Sequence, residues 1–187
     1  MELENIRFEI SNSGKLETRE RLVLLSAYKE LFVKIYGYDI LTEFYKENNR
    51  IPKRVEKTFN VLKSVKENED LSLILIYYGK QLIGGGRIRK LSDTKASVPD
   101  IAIEIGTDKE KREIWKMTVE YVEQYLLNNG FEKMYLEVPL KEAPLLYRAG
   151  DLGFIEDPKD IGDDNRTYLL NKDLVRNKDE QFNSSRK

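Results

Sequence analysis

Two β-rich runs, LSLILIYY at 71–78 and QLIGGGRIRKL at 81–91, are separated only by Gly79-Lys80. Two residues that begin with glycine suit the tight turn of an antiparallel hairpin, because glycine enters the left-handed backbone region without steric cost. The chain therefore commits to an antiparallel strand pair, and the remaining elements have to be compatible with it.

Upstream, residues 6–10 alternate as I-R-F-E-I, the period of a strand with one buried face. From 16 to 36, Leu22, Leu25, Tyr28, Leu31, Phe32 and Ile35 recur at three and four residues, and Gly37 stands where a helix would stop. A second helical stripe, Val55, Phe59, Leu62 and Val65, spans 54–66 after Pro52, with a shorter helix expected at 41–46. Downstream, 101–105 alternates as I-A-I-E-I and ends at Gly106-Thr107-Asp108. A long helical pattern follows, carrying Ile114, Met117, Val122, Tyr125 and Leu126 and closing at Asn128-Asn129-Gly130, before a strand at 131–138. A short helix at 141–149, a strand starting at 154–155, a polar loop at 161–165 and a last strand at 167–170 complete the order. This predicts an α+β fold: a mixed, mostly antiparallel central sheet of six to seven strands flanked by about four helices. One domain is expected over 1–174, with 175–187 a polar, disordered tail.

The 187 residues carry 32 basic and 33 acidic side chains, a net charge of −1, and neither cysteine nor histidine. Disulfides, thiolate nucleophiles, Cys-based metal sites and every Ser-His or Cys-His triad are excluded. The charge balance argues against nucleic acid as a partner, and no apolar run is long enough for a membrane span. Neither a basic leader nor an apolar signal stands at the N-terminus, so a cytoplasmic protein is expected.

The element order resembles the GNAT superfamily of acyl-CoA N-acyltransferases, and three stretches carry the likeness. YYGKQLIGGGRIR is similar to that family's second and third strands. The strand-helix-strand block from Ile101 to Val138, with NNGFEKMYLEV closing it, matches the family's central motif without a gap. APLLYRAGDLGFIED followed by NRTYLLNKDL resembles its tyrosine helix, its GF strand and its final strand. The chain departs from the family where an Arg-Gly-x-Gly-x-Gly/Ala run is usual: it has Glu110-Lys111-Arg112-Glu113-Ile114-Trp115, with all three glycine positions filled.

The resemblance implies that acetyl-CoA or another acyl-CoA is the co-substrate, with no metal. It places the pantetheine arm beside the backbone of Ile103 and Ile105. The pyrophosphate would then sit at the start of the following helix, over Lys111, Arg112, Glu113, Ile114, Trp115 and Lys116. Free N–H groups and the helix dipole favour an anion there, and the cations add charge contact, whereas Glu113 repels and Trp115 crowds. Two other readings of the segment stay open. Asp108, Glu110 and Glu113 can complement the helix dipole while Trp115 packs on the core or covers a pocket, or the bulky residues can select a different donor.

For catalysis the resemblance points to Tyr147 as proton donor to the departing sulfur; a phenol with a pKa near ~10 is protonated at neutral pH. Its alternative is a tyrosine packed in a helix. Glu104 is the natural base, on the strand face opposite Ile103 and Ile105, against the alternative of an exposed residue paired with a Lys or Arg. Gly84-Gly85-Gly86 marks a close approach by a substrate or by a packed element, the second being favoured. Leu140 stands where the family often has asparagine. Acceptor choice would come from 38–52 and the loop bearing Asp160, Asp163 and Asp164.

The function expected is transfer of an acyl group, acetyl first, from acyl-CoA to a primary amine on a small molecule or peptide, by direct attack. A homodimer stays open. The alternative is a catalytically inactive binding or regulatory protein on the same fold that has lost CoA.

Overall fold

The computed structural model describes residues 2–12, 18–36, 71–161 and 167–175. The helices expected at 41–46 and 54–66, the acids Asp163 and Asp164, and the tail beyond 175 lie outside those residues. Seven strands and three α-helices are described: β1 (Ile6–Asn12), α1 (Thr18–Tyr36), β2 (Leu71–Tyr78), β3 (Gln81–Lys90), β4 (Lys95–Ile103), α2 (Asp108–Asn128), β5 (Lys133–Pro139), α3 (Ala143–Asp151), β6 (Ile155–Ile161) and β7 (Thr167–Asp173). They form one sheet in the order β1-β2-β3-β4-β5-β7-β6. Every neighbouring pair is antiparallel except β4 with β5. The expected mixed, mostly antiparallel α+β architecture is what the chain adopts.

Alternation along the strands gives the sheet two apolar faces. Ile74, Ile76, Ile83, Val98, Met134, Leu136 and Val138 pack beneath α2, which buries Ile114, Trp115, Val119, Val122 and Leu126. On the other face Leu73, Leu75, Tyr77 and Leu82 meet α1 through Leu24, Ala27, Tyr28 and Phe32. Burying Leu24 and Phe32 contributes about 1.5–3 kcal/mol each, so packing rather than helix propensity holds α1 in place.

The glycine run has a packing cause. A Cβ at Gly85 would stand 2.5 Å from Leu24 Cδ2 and 2.4 Å from the carbonyl oxygen of Ile74. Helix α1 therefore lies directly on β3. Gly79 (φ +58°) makes the hairpin turn and Gly130 (φ +83°) follows α2, where positive φ admits few other residues.

Strand β4 begins six residues before the alternating stretch 101–105 and stops at Ile103, so Glu104 lies one residue past its end rather than inside it. Its early half, K-A-S-V-P-D, lacks a strand pattern because Pro99 interrupts it. Arg87 faces Asp100 and Arg89 faces Ser97 across β3–β4, which leaves Val98 and Pro99 together opposite Ile88. Proline is admitted to a sheet at such a bulge, where its missing N–H is not required.

Candidate functional site

The β4–β5 pairing is short. It runs from Lys95↔Lys133 to Val98↔Leu136 and ends there, although β4 continues to Ile103 and β5 to Pro139. The two strands splay beyond the bulge at Pro99, and from there on β4 has no strand partner on its β5 side among the described residues.

At the mouth of the splay lies a cavity of about 100 Å³. Its walls come from α1 (Ala27, Glu30, Leu31), the end of β4 (Ile101, Ala102, Ile103), the first two turns of α2 (Asp108, Lys111, Arg112, Trp115) and the start of α3 (Glu142, Leu145). Of the residues expected to hold a cofactor, Ile103, Lys111, Arg112 and Trp115 line it. The other four do not. Ile105 packs against the core beneath α2, Ile114 is fully buried, Glu113 bonds to Arg148, and Lys116 stands 3.9 Å from Glu120. Trp115 is 4% exposed, so it both joins the core and walls the cavity.

The segment 110–115 is helical. Thr107 caps α2: its Oγ1 accepts from the Glu110 N–H, and Glu110 Oε2 accepts from the Thr107 N–H at 2.8 Å, a capping box. The N–H of Lys111 goes to the Thr107 carbonyl at 2.8 Å. Only the first four N–H groups of a helix lack helical partners, so those of residues 112–115 are committed to the helix. The glycine-run positions therefore present side chains, not a row of free amides.

Those side chains are tied to both neighbours. Lys111 Nζ meets Glu30 Oε2 of α1 at 3.0 Å, and Arg148 Nη2 of α3 meets Glu113 Oε1 at 2.6 Å. Glu113 is thus neutralised rather than left facing the cavity. Arg112 has no ion-pair partner among the described residues.

Glu104 keeps a ladder bond, its N–H donating to the Ile83 carbonyl at 2.8 Å. Its side chain is part-buried and accepts a hydrogen bond from Ser26 Oγ of α1 at 2.8 Å, on the sheet face shared with Ala102. It is not exposed, and among the described residues it has no Lys or Arg partner. Glu104 follows the wall residue Ile103 but is not itself in the cavity lining; Tyr147 is outside the lining as well and is 77% exposed. On α3 it lies two residues from Leu145, about 200° around the helix, which turns it from the wall Leu145 forms.

Below the splay sits a buried polar group absent from the sequence-derived site. Arg87 Nε reaches both Asp100 carboxylate oxygens at 3.1 Å, Nη2 adds a further bond to Oδ2, and the Tyr28 hydroxyl donates to Oδ1 at 2.5 Å. Burial disfavours the charge on Arg87, but Asp100 outweighs it and raises the guanidinium above its ordinary pKa. Glu137 of β5, 8% exposed, accepts from Thr167 Oγ1 of β7 at 3.3 Å. The sequence signal for this group was a charged residue at the centre of an otherwise apolar strand. Pro99 next to Asp100 masked it.

No family model and no curated protein matches the chain in sequence. Solved structures do match in shape. An N-acetyltransferase, PaiA, from Thermoplasma acidophilum in complex with coenzyme A aligns at 15% identity and a TM-score of 0.60, over 89% of this chain and 99% of that one. An aminoglycoside 6'-acetyltransferase type Ii aligns at 15% identity and 0.61, over 90% and 98%. A putative GNAT-family acetyltransferase from Desulfovibrio desulfuricans aligns at 9% identity and 0.62, over 91% and 99%. The described residues therefore have the GNAT fold. Among the described residues no helix is long and apolar enough to cross a membrane.

Proposed function

We propose that the protein is an N-acyltransferase that moves an acyl group, acetyl first, from acyl-CoA to a primary amine. The observation that carries this reading is the splay of β4 from β5, opening into a cavity walled by Ile103, Lys111, Arg112 and Trp115. An unpaired strand edge suits the amide-rich arm of CoA, whose peptide-like groups can take the place of the missing strand. Because the capping box already uses the Thr107 and Glu110 amides and the Lys111 amide is bonded to the Thr107 carbonyl, the diphosphate would be held by side-chain charge, with Arg112 foremost and Lys111 beside it. Bound acyl-CoA supplies the thioester and its thiolate leaving group.

Within this reading Glu104 is the base, accepting the proton of the acceptor's ammonium so that the free amine can attack the thioester carbonyl. A C–N bond forms, the C–S bond breaks, and the second amine proton leaves with the sulfur by way of solvent. Tyr147 is the proton donor that the family resemblance suggests, but its exposure leaves that role without a contact at the cavity. The acceptor class is a small-molecule or peptide amine. Structural neighbours include an aminoglycoside acetyltransferase and an Escherichia coli N-acetyltransferase of an alanine of ribosomal protein S18.

The test is release of free thiol from acetyl-CoA in the presence of putrescine, glucosamine or a short lysine-containing peptide. Amine-dependent release supports the reading, and none with any of them argues against it. One observation favours the second reading, a binding protein without turnover: the helix start spends the Thr107 and Glu110 amides on its own cap where a cradle of free amides is usual. That reading predicts no amine-dependent thiol release.

A further inference from the structure

Ser26 was no part of the site expected from the sequence, yet its hydroxyl donates to the Glu104 carboxylate at 2.8 Å across 78 positions of chain. We infer that Ser26 is a positioning residue for Glu104, fixing the carboxylate that takes the acceptor's proton. The inference rests on the N-acyltransferase reading above.

A serine inside a helix ordinarily turns its hydroxyl to water or back to the carbonyl four residues earlier. Here it spans to another element. Ser26, Ala27, Glu30 and Leu31 share one stripe of α1, and the last three line the cavity. Ser26 is the member of that stripe that donates a hydrogen bond to the residue after β4. The backbone of Glu104 is already held by its bond to Ile83, so the remaining freedom is in the side chain. The hydroxyl takes Oε1 and leaves Oε2 for the acceptor.

The geometry has a kinetic consequence. Proton transfer requires the base within about 2.6–3.2 Å of the proton's heavy atom, and a three-torsion side chain free to rotate spends little time there. Pinning one oxygen restricts that search without adding to donor binding. Loss of Ser26 should therefore appear in kcat and not in KM for acetyl-CoA.

The experiment compares the wild type with Ser26→Ala, Ser26→Thr, Glu104→Gln and the Ser26→Ala/Glu104→Gln double variant. The assay is thiol release from acetyl-CoA with putrescine, glucosamine or the lysine peptide. Ser26→Ala should lower kcat about tenfold at unchanged KM for acetyl-CoA. Ser26→Thr, which keeps the hydroxyl, should restore it. In the Glu104→Gln background Ser26→Ala should cost nothing further, because the two residues act as one unit. An active Ser26→Ala beside an impaired Glu104→Gln, or independent losses in the double variant, would overturn the positioning role and leave the base in place. A fully active Glu104→Gln would remove both. A wild type without amine-dependent turnover would take down the N-acyltransferase reading and this inference with it.

Discussion

Lys111 and Arg112 are adjacent on α2 and line the same cavity, but among the described residues only Lys111 is held, by Glu30. That difference predicts unequal losses. Arg112→Gln should weaken CoA binding tenfold or more, since a hydrogen bond to a charged group contributes about 1.5–3 kcal/mol. Lys111→Gln should weaken it less, because its charge is already spent on Glu30. Calorimetric titration with CoA measures both, and equal affinity of Arg112→Gln and wild type would contradict the assignment. Tyr147→Phe should retain turnover within about twofold, as expected of an exposed hydroxyl that meets no reacting group. A large fall in its kcat would restore the proton-donor role. Asp100→Ala strands the buried Arg87 guanidinium and should cost about 3–5 kcal/mol in chemical denaturation. Residue identities at the cavity were partly legible in the sequence. Ile103, Lys111, Arg112 and Trp115 could be placed through the family resemblance. Ser26, Glu30 and Leu145 could not, because their contacts join elements far apart in the chain.

Among the elements, α2 differs most from the expectation carried by its family likeness. Its N-terminus lies upstream of the filled glycine positions, at Asp108, because Thr107 and Glu110 form the capping box there. Thr-x-x-Glu is readable in a sequence, but its consequence is structural: with the helix starting at Asp108, residues 110–115 cannot form a loop. Thr107→Ala should destabilise the protein by about 1 kcal/mol, read as a lowered denaturation midpoint. Gly85→Ala should do more, because its Cβ would meet the Ile74 carbonyl at 2.4 Å, backbone that cannot step aside. Overpacking of this kind costs about 1–3 kcal/mol. An unchanged midpoint for Gly85→Ala would show that α1 does not rest on β3. Helix α1 was legible from periodicity because it has one apolar face, whereas β2 and β3, apolar on both faces, were legible as β-rich runs around the Gly79-Lys80 turn. The early half of β4 was not, since Pro99 and the bulge break the alternation that identifies a strand.

At the scale of the whole molecule, the bulge at Pro99, the short parallel pairing of β4 with β5 and the cavity form one causal sequence. Proline and the extra residue end the pairing at Val98, the splayed strands leave an unpaired edge, and α1, α2 and α3 wall the space that results. The proposed acyl transfer is compatible with a chain lacking histidine and cysteine, because direct attack needs no covalent enzyme intermediate and a carboxylate suffices as base. The central claim is that this cleft holds an acyl-CoA despite its self-capped helix. Its most direct test is a melting scan of the protein with CoA, acetyl-CoA and longer acyl-CoAs. A donor present at about 100 times its dissociation constant should stabilise the fold by about 2.7 kcal/mol and raise the melting temperature accordingly. A melting temperature unmoved by every one of these donors would contradict it.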